Sequence, residues 1–284
     1  MRLGHNMYSL NIFKNYKNTL VDNSKALGNI STGVKLNSAK DNPNKIAQSE
    51  NLKLQIIARN AAQSNIQDTN SMLQTFDGAL QEMNNNLSRL QELTVSAANG
   101  TKSEEDKAII QKEIDHILKG MDELAENTDF NGRKMTASNV TGITNLDDIE
   151  PDYKNSVIGT LSGEKIKIPF YGLTSENLGI KDIDVTQDNG ASEATSKVEN
   201  ATAIISRVRS KYGAIQSRLE ETYSSMDEIN ENLATAQSSI ADSDIAEEMM
   251  NYARTNILYQ SSISLMAQSN KFPQDALNIL SNVR

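Results

Sequence analysis

Two histidines, His5 and His116, and no cysteine occur in the chain. Thiolate metal sites and disulfides are therefore excluded, and a two-histidine site would need pairing across the length of the sequence. No His-Glu-x-x-His run occurs, so the helix-borne zinc-hydrolase pattern is missing. His116 stands beside the apolar seam of a helical segment and reads as a packing residue. Gly159 to Lys165, GTLSGEK, has glycines but neither the spacing nor the Gly-Lys-Ser/Thr ending of a phosphate loop; it reads as a turn. The acidic pairs Asp147-Asp148 and Glu220-Glu221 read as solvated faces rather than general acids. Met226, Met249, Met250 and Met266 fall on or next to apolar seams. These residues compose no catalytic constellation, and the chain is read as a non-enzyme needing no cofactor.

The elements that carry these residues are built for something other than chemistry. Only 37% of the chain is hydrophobic, and tryptophan is absent. That suits helices that each bury one narrow stripe and leave the rest wet. A net charge of −9 argues against nucleic acid, which demands clustered Lys and Arg. No apolar run approaches the roughly 20 residues of a membrane span. The opening MRLGHNMYSLNIFKNYKN lacks the apolar block of a cleavable signal peptide.

The strongest period lies in VENATAIISRVRSKYGAIQSRLEETYSSMDEINENLATAQSSI, residues 198–240. Val198, Ala201, Ile205, Val208, Tyr212, Ile215, Leu219, Thr222, Met226, Ile229, Leu233, Ala236 and Ile240 follow in unbroken steps of three and four. Such a helix would be roughly 65 Å long. An earlier stripe runs Phe13, Tyr16, Leu20, Asn23, Leu27, Ile30, Val34 and stops at NSAKDNPNK, where Asn42-Pro43 breaks any helix. Then Ile66, Leu73, Leu80 and Leu87 fill one heptad position, and Phe76, Met83, Leu90 and Ala97 the other. Gly100 ends that helix. Ser103, followed by three acids, caps a third with seam Ile110, Ile114, Ile117, Met121, Leu124.

From about residue 130 the helical period vanishes. Ile166, Ile168 and Phe170 alternate with polar or proline residues and predict a short hairpin, and 188–196 reads as a polar connector. After a break at 240–245, Asp244 offers a new cap, and the stripe Ile245, Met249, Tyr252, Asn256, Tyr259, Ile263, Met266 resumes. Pro273 is expected to end or kink that helix. The fold class read from this order is mainly α. It is a long antiparallel helical rod or coiled-coil bundle with discontinuous N- and C-terminal halves and a small β-hairpin region in the middle.

The two ends carry more apolar side chains than a helix pair can hide. Leu3, Met7, Leu10, Phe13 and Tyr16 crowd one end, and Ile257, Leu258, Ile263, Leu265, Met266, Leu277, Ile279 and Leu280 the other. Contiguous patches of this kind mark association surfaces. The expectation is that both ends are loose in the monomer and become ordered against copies of the same chain.

The ordered motifs MRLGHNMYSLN, ISTGVKLNSAKDNPNKIAQSE, IQDTNSMLQTFDGAL, RLQELTVSAANGT, TDFNGRKM, GAIQSRLE and DSDIAEEMMNYARTNILYQSSISLMAQSN resemble bacterial flagellin along nearly the whole chain. The resemblance implies a short form without outer variable domains, and a structural, non-enzymatic role as the self-polymerising subunit of the flagellar filament. Residues 1–38 and 243–284 would be terminal helices of the filament core, 39–140 and 191–242 a helical rod domain, and 141–190 its small β region. Polymerisation and chaperone binding would fall on Leu10, Phe13, Leu20, Leu27, Ile30, Ile245, Met249, Ile257, Leu258, Ile263, Leu265, Met266, Leu277 and Leu280. Arg89, Leu93 and Glu113 match the family's contacts to a host Toll-like receptor. Further implied partners are an export chaperone at the C-terminal segment, the filament cap and hook-associated proteins. The implied location is the extracellular filament, reached through the flagellar channel without a cleaved signal. Ser38, Lys45 and Ser64 depart from the family's usual residues. The alternative reading is a flagellin-like hook–filament junction adaptor.

Overall fold

The computed structural model describes residues 6–135, 151–160, 163–187 and 189–282. Leu3, the Asn139 sequon and the side chains of Leu277, Ile279 and Leu280 lie outside the described residues. Helix α1 spans Met7–Thr32; Asn6 caps it by accepting from the Ser9 N–H, and Gly33 ends it in the left-handed region at φ 73°. Helix α2 spans Pro43–Ala97. Proline suits that first position because the N–H it lacks would have no partner there, and Asn42 Oδ1 accepts from the Lys45 N–H at 3.2 Å. So the Asn-Pro break is also a helix start.

Helix α3, Glu104–Asn127, opens with a reciprocal capping box in which Ser103 and Asp106 satisfy each other's backbone N–H. Two small antiparallel hairpins follow. The first pairs β1, Asp129–Phe130, with β2, Arg133–Lys134; the second pairs β3, Asp152–Val157, with β4, Lys165–Phe170. Helices α4, Gly190–Ala241, and α5, Ile245–Asn282, complete the described chain. Asp244 caps α5 by accepting from Ala246 N–H at 2.9 Å and from Glu247 N–H at 3.3 Å. The fold is mainly α, as the stripes predict.

Three local expectations need correction. The connector at 188–196 is helical from Gly190, because Ala191 and Ala194 are buried and carry the Val198–Ala201 seam two steps earlier. The β1–β2 hairpin lies where the sequence shows only the loss of helical period; Asn131 and Gly132, at φ 52° and 75°, form its two-residue turn. Of the two outcomes expected at Pro273, an end or a kink, the end is overturned, because α5 continues to Asn282.

The chain divides into two compact units, residues 1–56 with 231–284 and residues 57–230. The division falls inside α2 and α4.

The second unit holds the core. Ile66, Leu73, Phe76, Leu80, Met83, Leu87 and Leu90 of α2 are buried with Ile114 and Met121 of α3 and Val198, Ile205, Val208, Tyr212 and Leu219 of α4. The segment after β4 closes over this stripe through Tyr171, Leu173, Ile180, Ile183 and Val185. Phe76 meets Phe170 edge to face at 5.6 Å, and the Tyr212 hydroxyl donates to the Pro169 carbonyl at 3.0 Å. Burial holds that hydroxyl protonated by raising its pKa. The α4 stripe stays regular in sequence beyond Met226, but Ile229 is exposed, so the core fades there.

Candidate functional site

The first unit contrasts with the second. Among the described residues its buried apolar side chains are two alanines, Ala26 and Ala241. Helices α1 and α5 pack on each other through small and polar groups: Asn23 Nδ2 donates to Thr255 Oγ1 at 3.0 Å, and Tyr16 stacks on Tyr259 at 5.3 Å. Most of the large apolar residues point elsewhere. Met7, Tyr8, Leu10, Phe13, Leu20, Val21 and Leu27 of α1 are exposed, as are Met249, Met250, Ile257, Leu258, Ile263, Leu265 and Phe272 of α5, with Ile257 at 66% and Phe272 at 80%. Ile245 is exposed too, and Ile30 and Met266 are half-buried. Apart from Ile30 and Met266, the residues expected to mediate association thus lie on open apolar faces of one helix pair, as far as their side chains are described.

The break in the N-terminal half is tied to the break in the C-terminal half. Lys35 N–H donates to the Ala241 carbonyl at 2.8 Å, and Ser243 N–H to the Gly33 carbonyl at 3.0 Å. Beside them Asn29, 5% exposed, donates to Glu248 Oε1 at 2.8 Å and accepts from Asn37 at 2.9 Å. A buried amide demands such partners, so this network fixes where both helices are interrupted. A cavity of about 180 Å³ lies beside it, lined by Val34, Leu36, Ile46, Ala241 and neighbouring polar groups. It is smaller than the roughly 300–1,000 Å³ of small-molecule sites.

Arg89, Leu93 and Glu113 sit in the second unit. Arg89 Nη2 and Nε reach Glu113 Oε1 at 2.8 and 3.1 Å, joining α2 to α3, and Nη1 reaches Glu92 at 2.9 Å. Glu113 first, then Glu92, raise the arginine's pKa. Arg89 and Glu113 are open to solvent, whereas Leu93 is only 6% exposed and packs in the core. The structure brings the arginine and glutamate together on the surface and sets the leucine beneath it. Among the described residues no cluster of His, Cys, Asp or Glu is arranged to hold a metal, and no helix is long and apolar enough to cross a membrane.

Residues 3–141 match the family described as bacterial flagellin N-terminal helical region, and residues 195–280 its C-terminal helical region. The flagellin of Halalkalibacterium halodurans is 34% identical over 99% of this chain and 100% of its own.

The chain belongs to the bacterial flagellin family.

The flagellin of Bacillus subtilis is likewise 34% identical, with 99% and 100% covered. A solved structure of a putative flagellar hook-associated protein from Vibrio parahaemolyticus aligns with a TM-score of 0.58 over 71% of this chain and all of that one. At 13% identity that likeness shows the fold alone. This flagellin keeps its buried apolar cluster in one unit and its open helix faces in the other.

Proposed function

We propose that this flagellin is a structural subunit that polymerises into the flagellar filament outside the cell. One observation carries the reading: α1 and α5 expose most of their large apolar side chains, while among the described residues their unit buries two alanines in return. Such a surface is unfavourable in water at about 25 cal/mol per Å², and repeated heterologous contacts with other copies cover it without closing a ring. The terminal segments, 1–38 and 243–284, are the assembly elements, and 39–140 with 191–242 and the β region 141–190 form the outer part. Before assembly the C-terminal face is the surface an export chaperone would shield on the way to the flagellar channel. The filament cap and hook-associated proteins would meet the same faces at the two ends of the polymer.

The test is depolymerisation of purified filaments by heat, followed by seeded regrowth. Seeds that elongate with this subunit support the proposal; a chain that stays monomeric beside competent seeds overturns it. The adaptor alternative predicts low copy number in sheared filaments, and the full-length flagellin relatives favour the filament subunit instead.

Recognition by a host Toll-like receptor is a second, separate reading, favoured by the exposed Arg89–Glu113 pair. Arg89→Ala would remove the solvent-facing donor set and lower receptor-dependent reporter signal at least tenfold while leaving elongation intact. Leu93→Ala would act through packing, so it would lower the thermal midpoint of the second unit as well.

A further inference from the structure

Pro273 lies inside α5 and has no backbone N–H, so the helix cannot supply the usual donor to the carbonyl four residues earlier. That carbonyl belongs to Ser269. It accepts instead from Asn6 Nδ2 of the N-terminal segment at 2.8 Å, and the same nitrogen lies 3.0 Å from Ser269 Oγ. The other end of the Asn6 amide, Oδ1, accepts from Ser9 N–H at 3.1 Å and so caps α1. One turn along, Ser9 Oγ donates to Asn270 Oδ1 at 3.1 Å. All four side chains belong to the same unit.

We propose that Asn6 and Pro273 are a matched pair: the proline leaves an acceptor open in α5, and Asn6 fills it, clasping the first turn of α1 to the last stretch of α5. A single amide can do this because it offers an acceptor at one end and donors at the other. Asp or Ser at this position would cap α1 as well as Asn does, yet neither presents an NH₂ group to the Ser269 carbonyl. The clasp sets the position of α1 along α5, and with it the register of the exposed Leu10, Phe13, Ile257 and Leu265 that the assembly surface presents. The inference rests on the filament reading only for its consequence, since the clasp itself lies within one chain.

The test is a double-mutant cycle of Asn6→Ser with Pro273→Ala, read as the critical concentration for seeded elongation. Asn6→Ser keeps a cap and removes the donors; Pro273→Ala restores the missing backbone N–H. In the Pro273 background Asn6→Ser is expected to raise the critical concentration roughly tenfold, which corresponds to about 1.4 kcal/mol. In the Pro273→Ala background the rise shrinks to less than about twofold. An equal effect in both backgrounds, or none in either, overturns the proposal. If Asn6→Ser abolishes growth, recovery on adding Pro273→Ala supports the clasp and failure to recover counts against it.

A measurement without variants guards against a Pro273→Ala chain that does not assemble. Solid-state NMR dipolar dephasing between side-chain ¹⁵N of asparagine and carbonyl ¹³C of serine in wild-type material must show the Asn6–Ser269 contact. Its absence overturns the clasp. Failure of the wild-type chain to extend seeds, with that contact present, overturns the filament reading alone.

Discussion

Gln111 shows how one side chain stands in for a missing strand. Its Nε2 donates to the Ile183 carbonyl at 2.8 Å while its Oε1 accepts from the Val185 N–H at 2.9 Å. Asp122, eleven residues on, plays a similar part: Oδ1 accepts from Ser175 N–H at 2.6 Å and Oδ2 from Ser175 Oγ at 2.7 Å. Together they pin the irregular segment after β4 onto α3. Gln111→Ala is expected to cost about 2 kcal/mol in urea unfolding, because two backbone groups near buried Ile183 and Val185 lose partners. Leu80→Ala, at a fully buried seam position, is expected to cost about 2–5 kcal/mol through transfer and cavity terms together. A smaller loss at Leu80 than at Gln111 would mean that the helix seam is less closely packed than its burial indicates.

At the level of elements, stripes and caps were legible in the sequence, while long-range polar contacts were not. The seam from Ile66 to Leu90 and the Ser103 cap repeat local rules of period and hydrogen bonding, so composition and spacing suffice to find them. The β1–β2 hairpin carries an Asn-Gly signal too, but its strands hold only two residues each, too short for any alternation to show. Gln111 and Asp122 could not be foreseen, because nothing local distinguishes a solvated polar residue from one that meets a loop about fifty to seventy positions away. The start of α4 was hidden for another reason: Ala191 and Ala194 are small enough to look like connector residues. Of the open faces of α1 and α5, which side chains are large and apolar was readable, and which stay exposed in the folded chain was not.

The α3 cap yields a pH prediction. Ser103 N–H, then its hydroxyl, bond Asp106 and hold its carboxyl below the usual value of 3.8; Thr186 and Gln187 do the same for Asp184. A carboxylate whose folded pKa is depressed adds stability that is present above its unfolded pKa and is lost as pH falls through the folded one. The thermal midpoint of the second unit should therefore hold down to about pH 4 and decline below it. Ser103→Ala should reduce stability by about 1 kcal/mol at neutral pH through loss of the cap, and Asp106→Asn, which removes the titrating carboxyl, should flatten part of that acid decline. An unchanged decline would remove Asp106 from the account.

For the molecule as a whole, the division of labour between units makes the strongest claim. The buried apolar clusters of the second unit lie between Ala62 and Met226, so deleting residues 1–30 or 255–284 removes none of them. Either truncated chain should unfold with a near-native midpoint for that unit. Both should fail to extend seeds, since each deletion leaves the remaining terminal helix without the partner that α1 and α5 provide for each other. The backbone entropy of ordering that lone helix, about 1–2 kcal/mol per residue, would then have only half of the apolar face to offset it. Circular dichroism melting and seeded elongation on the same samples separate the two outcomes. A truncated chain that still elongates would show that one terminal helix suffices for assembly; one that loses its melting transition would show that the stability of the second unit depends on the first, in which two alanines are the buried apolar side chains among the described residues.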